Sequence, residues 1–164
     1  MNHSCWMALY TRPRHEKRVA EQLSENGVEH YLPLVRTQRQ WSDRKKWVEE
    51  PLFRSYVFVF GDAGQRYRAV QTHGTVGFVR FGDRPAVVRE EEIDTIRRVL
   101  REGRVIESCD MPRPGDEVEI RRGPFAGVRG VLETLQGEHR LVVSIPSIRQ
   151  GIRFNVARED VRKT

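Results

Sequence analysis

The sequence predicts an α+β protein in two parts. The first is an antiparallel sheet of the split βαβ kind with helices on one face; the second is a small closed barrel of five short strands. Three observations predict this. Strand-like and helix-like stretches alternate as β-α-β-hairpin-β-α-β-α up to Gly103. The helical period then stops at "RVIESCDMPRPG", which has no periodicity and ends in Pro-x-Pro-Gly. Beyond it lie only short strand-like runs separated by turns, and closure into a barrel removes exposed sheet edges.

In chain order, "WMALY" (6–10) is a short apolar run that reads as a strand. In "TRPRHEKRVAEQLSENG", Val19, Ala20 and Leu23 make one helical stripe, with Pro13 at the first turn and Gly27 at the C-terminal cap. "VEHYLPLV" is a strand weakened at Pro33. "RTQRQWSDRKKWVEE" reads as a protruding hairpin turning at Ser42-Asp43, with five cations and one anion over 36–46. "PLFRSYVFVF" (51–60) contains a strand with large aromatics Tyr56, Phe58 and Phe60 on one face and Val57 and Val59 on the other. Asp62 opens a short helix that ends before Gly74, and "VGFVRF" is a further strand. "REEEIDTIRRVLREG" is a helix whose stripe is Ile93, Ile96, Val99 and Leu100, with three glutamates at its positive end and arginines toward its negative end. In the second part, "GPFAG" is a turn; Gly127 supplies a positive φ and Gly130 lets its strand bend tightly.

The chain of 164 residues carries 29 Lys+Arg against 23 Asp+Glu, a net charge of +6, and 25 of the cations are arginine. This permits a polyanionic partner, and a GC-rich genome accounts for the composition equally well. Cys5 and Cys109 belong to no Cys/His array, which argues against a disulfide framework or a zinc site. The start turns charged too early for a signal peptide, and no run approaches a membrane span; both features point to a soluble, cytoplasmic protein. Histidines 3, 15, 30, 73 and 139 are scattered and no nucleophile context or phosphate loop is present, so neither an enzyme nor a cofactor is expected.

Two basic groups remain. Arg12, Arg14, Lys17 and Arg18 surround a helix start, where backbone N–H groups already favour phosphate; a solvated helix face explains them equally well. The hairpin tip joins cations to Trp41 and Trp47. The indoles either stack on bases or pair across the hairpin to stabilise it.

These segments resemble the NusG family of transcription elongation factors. "PGDEVEIRRGPFAGVRGVLETL" resembles the family's KOW module, an SH3-like barrel. "WMALYTRP", "PLFRSYVFV" and "GTVGFVRFGDRPAVV" resemble its N-terminal NGN domain. The resemblance implies an NGN-like domain at 1–103, a linker at 104–113 and a KOW barrel at 114–164. It implies a monomeric factor with no chemistry of its own that docks the clamp helices of the largest catalytic RNA polymerase subunit, suppresses pausing and termination, and recruits a further protein through the barrel. The matching clamp-facing positions are Tyr10, Phe53, Tyr56, Phe58 and Phe78. Those facing the non-template DNA strand are Arg12, Thr72 and His73, with Arg14 and Arg18 added on electrostatic grounds. Phe125 matches the partner-contacting aromatic of the barrel turn, and Ile145 and Ile148 lie near it in the pattern. That partner is a small-subunit ribosomal protein or the termination factor Rho.

Two departures from the family pattern bear on function. Arg54-Ser55 stands where the family often has Pro-Gly or Pro-Asn, so the turn into the strand is expected to differ. "PSIRQGIRF" departs from the housekeeping members, which counts against Rho and, with the hairpin "RQWSDRKKW", favours a specialised UpxY-like antiterminator. The alternatives are a general elongation factor that binds Rho, and a ribosome-associated KOW-type RNA-binding protein with an unrelated α+β appendage.

Overall fold

The computed structural model describes residues 3–164. Contacts divide the chain into two compact units, Met1–Glu90 and Glu91–Thr164.

The first unit contains β1 (Cys5–Thr11), α1 (Glu16–Glu25), β2 (His30–Tyr31), β3 (Leu34–Gln40), β4 (Lys45–Pro51), β5 (Tyr56–Gly61), α2 (Ala63–Val70), β6 (Thr75–Phe78), β7 (Arg80–Phe81), β8 (Arg84–Pro85) and β9 (Val87–Val88). Its sheet runs β2-β5-β1-β6, with β9 also pairing to β1, and every pairing is antiparallel. Val57 and Val59 point to the helix side, where they pack with Leu9, Val19, Leu23, Val28 and Ala69. The small residues of β5 therefore lie where α1 and α2 approach the sheet. Helix α2 starts on a capping box: the Asp62 carboxylate accepts from Gln65 N–H, and the Gln65 side chain accepts from Asp62 N–H. The chain breaks between β2 and β3 at Pro33, as the proline predicts. The β3–β4 hairpin turns over 41–44, closed by Trp41 N–H donating to the Arg44 carbonyl at 2.7 Å.

The second unit holds α3 (Glu90–Arg101) from its second residue on, then β10 (Ile106–Asp110), β11 (Glu117–Ile120), β12 (Arg129–Leu135), β13 (Glu138–Ile145), β14 (Gln150–Asn155) and β15 (Val161–Lys163). The strands form one antiparallel path, β10-β14-β13-β12-β11-β15. One expectation needs correction. Residues 104–113, read as a linker, contain β10, which pairs with β14 from Ile106↔Phe154 to Asp110↔Gln150 and so adds a sixth strand to the five expected. The contacts also group α3 with these strands, although its sequence position suggested the first part.

Gly127 acts as expected, and Gly130 is required for a close approach between strands rather than for the expected bend. Gly127 takes φ +90° in the turn after β11. At Gly130, a Cβ would run into the backbone of Val142 on the neighbouring strand. Gly130→Ala therefore forces two paired strands apart. The expected cost is about 2 kcal/mol of stability, read from the urea midpoint, with Val131→Ala on the same strand as the comparison.

Candidate functional sites

Register decides which aromatics share a face. Across β1 and β5, Tyr10 lies opposite Tyr56, Ala8 opposite Phe58 and Trp6 opposite Phe60; Tyr31 of β2 also lies opposite Phe58. This face is graded in depth. Phe58 is 0% exposed and Phe53 1%, with Phe53 set edge-on to Phe58 at 6.2 Å and Tyr31 stacked on it at 6.5 Å. At the strand ends the face opens. Tyr10 is 40% exposed and Tyr56 half-buried, their rings 5.4 Å apart.

Three expected docking residues are thereby corrected. Phe53 and Phe58 are core, because Phe58 sits mid-strand between two neighbours and is capped by two rings. Phe78 is on the other side of the sheet: it lies opposite Leu9 and packs against the helix-side cluster. Of the five expected docking residues, Tyr10 and Tyr56 lie on the aromatic face and reach the surface. Tyr31 was missed, although strand alternation through His30-Tyr31 could have found it.

The turn before Tyr56 is held by a buried bond. Ser55 N–H donates to the Glu16 carboxylate at 2.8 Å, and the Ser55 carbonyl accepts from Thr11 N–H at 2.8 Å. Ser55 takes φ +67°, a conformation that suits the Gly or Asn of the family pattern better than serine. Serine holds this conformation here with its N–H satisfied by Glu16. Glu16→Ala leaves a buried N–H unpaired. The expected loss is about 2 kcal/mol of stability, with Glu16→Gln, which keeps an acceptor, losing less in the same denaturant titration.

Around the start of α1, Arg12, Arg14, Lys17 and Arg18 are all exposed. The loop after α2 lies against them: Arg12 N–H donates to the Gly74 carbonyl at 2.8 Å, and Gln22 Nε2 donates to the His73 carbonyl at 3.3 Å. The His15 and His73 rings meet edge-on at 6.2 Å. His73 is exposed, but Thr72 is 6% exposed. The Thr72 hydroxyl donates to the Arg68 carbonyl and its own carbonyl accepts from the Thr75 hydroxyl. Thr72, expected to face DNA, instead builds the turn that presents His73. A cleft of about 540 Å³ separates this helix start from the hairpin base, lined by Arg14, Glu16, Arg39, Glu50 and Arg54 among others, with Arg39 ion-paired to Glu50.

In the second unit the three expected partner-contact residues are all buried. Phe125 is packed on Phe154 at 5.2 Å and lies beneath the Arg104 guanidinium, 5.0 Å from its ring centre; Ile145 and Ile148 belong to the core. Arg98 donates to the carbonyls of Pro124 and Ala126 at 2.7 and 3.1 Å, on either side of Phe125. The sequence concealed this because Arg98 and Arg104 lie far from the turn along the chain.

Cys109 lines a second cleft of about 490 Å³ with Met111, Glu133 and Arg153. Burial pushes its thiol above the ordinary range. A raised pKa means less thiolate at a given pH. In a Cys5→Ser variant, alkylation near about pH 8.5 should therefore be slower than in the urea-unfolded chain.

The family model described as "Transcription termination factor nusG" matches residues 4–97. The chain belongs to the NusG family. The transcription termination/antitermination protein NusG of Pseudomonas aeruginosa is 28% identical over 151 residues, covering 81% of this chain and 82% of that one. The same-named protein of Deinococcus radiodurans is 28% identical over 174 residues, covering 85% and 90%. A solved structure of Thermotoga maritima NusG matches 98% of this chain and 97% of its own with a TM-score of 0.58 at 24% identity, a likeness of fold. The protein is thus a NusG-like transcription factor, and its α+β part is no unrelated appendage. Among the described residues of this NusG-family chain, no group of His, Cys, Asp and Glu could hold a metal, and no helix is long and apolar enough to cross a membrane.

Proposed function

We propose that this NusG-family factor is a specialised, UpxY-like transcription antiterminator. It is a cytoplasmic monomer without catalytic activity, and acts by binding RNA polymerase in an elongation complex. The polymerase-binding part is residues 1–103. It docks the clamp helices of the largest catalytic subunit through the open end of the aromatic face, Tyr10 and Tyr56. Arg12, Arg14, Arg18 and His73 meet the non-template DNA strand. The C-terminal strands act as the KOW barrel and recruit a further protein, a small-subunit ribosomal protein being the expected class.

The observation that carries this reading is the graded aromatic face. A sheet face that is core at Phe58 and open at the adjoining tyrosine pair offers rigid aromatic anchors backed by packed side chains. The basic helix start is joined to the same strand, since Arg12 directly follows β1. Tyrosines suit such a dock: each buries a ring while its hydroxyl finds a partner.

The test is binding of a Tyr10→Ala/Tyr56→Ala variant to RNA polymerase. The expected loss is about thirtyfold in affinity, ~2 kcal/mol, in a protein that keeps its circular dichroism. Unchanged affinity would overturn the docking assignment. Phe58→Ala should instead lower stability by about 3–5 kcal/mol and is no probe of the interface. A second reading, a general NusG-type elongation factor that also binds Rho, is favoured by the names of the relatives. Robust capture of Rho would select it over the specialised role.

A further inference from the structure

The β3–β4 hairpin carries two tryptophans that the sequence leaves open to two readings. Paired indoles would explain them as hairpin stabilisers. Among the described residues, however, the two rings do not meet. Trp47 lies opposite Gln38 in the ladder, and Trp41 stands at the tip. Trp41 is 55% exposed and Trp47 58%. Exposed indoles of that size need another explanation.

Register supplies one. Arg36, Gln38 and Gln40 lie opposite Glu49, Trp47 and Lys45, so these six side chains share one face of the hairpin, and all six are exposed. The Arg36 guanidinium sits over the Trp47 ring, 5.5 Å from its centre, and so buttresses the indole. The face offers no aliphatic side chain. It combines one braced aromatic ring with two cations, Arg36 and Lys45, two amides, and a single carboxylate, Glu49, at the end far from the tip. An aromatic platform amid phosphate-pairing and base-edge donors is the chemistry that recognises unpaired nucleobases. A duplex keeps its base faces hidden and would use only the cations. A lipid surface needs apolar area to bury, which this face lacks.

The hairpin base also joins the basic helix start. Lys17 Nζ donates to the Glu49 carbonyl at 2.5 Å.

We propose that this hairpin face is a stacking platform for single-stranded DNA, with Trp47 as the base-stacking residue, Arg36 as its brace and Trp41 as a second contact at the tip. It extends the DNA-facing side of the proposed function and rests on that reading for its biological strand. The binding itself needs no polymerase.

The test is a fluorescence titration of the whole protein with an oligothymidylate of about twelve nucleotides. Trp6 is buried, so a change in emission reports chiefly on Trp41 and Trp47. The oligothymidylate should quench emission, and a duplex of equal length should quench it little. Trp47→Ala should weaken binding about tenfold and Trp47→Phe much less, because a phenyl ring still stacks. Quenching of the unaltered protein keeps the test decisive even where Trp47→Ala perturbs the hairpin. The proposal is overturned if no quenching occurs, if the duplex binds equally well, or if Trp47→Ala binds as the unaltered protein does. It is also overturned if an oligouridylate binds tenfold tighter than the DNA, or if only anionic vesicles alter the emission. Unchanged polymerase affinity of the tyrosine variant leaves this site standing, and failure here leaves the tyrosine dock standing.

Discussion

One buried hydrogen bond holds three surfaces in place. The Glu16 carboxylate, on the first residue of α1, accepts from the N–H of Ser55 at the turn into β5. On one side of the bond lies Arg14 with φ +65°, which brings the chain sharply into the helix; on the other lies Ser55 with φ +67°. Each conformation costs on the order of 1 kcal/mol for a residue with a Cβ. The Glu16 bond and the Ser55 carbonyl bond to Thr11 offset that cost by satisfying both polar groups of the turn. The same bond sets the direction of β5 at Tyr56, the placement of the basic helix start and, through Pro51 to Arg54, the base of the hairpin. Charge, aromatic face and hairpin are local features of sequence; their juxtaposition depends on this contact.

The sheet that results has two unlike faces. Valines of β5 meet the helices, where small side chains allow close approach. Aromatics fill the other side and are deepest at Phe58. Deep packing in mid-strand and exposure at the strand end follow from the same register. Phe53 and Tyr31 hold Phe58 from two directions, and Phe58 lies one residue pair inside the tyrosines. The core thus stiffens the strand from which Tyr56 projects. A mutation at Phe58 acts first on the fold.

Local chemistry was legible in the sequence wherever partners lie close along the chain. The Asp62 cap, the hairpin turn at 41–44, the break at Pro33, the helix-facing valines and the positive φ of Gly127 all follow from residue type and spacing. What was hidden needed distant partners. Strand β10 is polar and aperiodic on its own, and becomes a strand by pairing with β14, some forty residues on. Phe78 was placed by its match to the family pattern, whereas its side is set by pairing with Leu9, a long-range register that spacing along the chain does not reveal. Phe125 reads as an exposed turn aromatic until Arg104 and Phe154 are placed beside it. Burial divides the residues of the family pattern into exposed and core positions.

The loop bearing His73 has a further consequence. Gly74 has φ +95°, and a Cβ there would come within 2.9 Å of the His15 ring, so the loop lies against the helix with no spare clearance. Two hydrogen bonds, from Arg12 and Gln22, fasten it further. The segment has therefore given up its conformational freedom when the chain folds, before any ligand arrives. A ligand meeting His73 and Arg12 together encounters a preorganised pair of groups, and little loop entropy remains to be lost on binding.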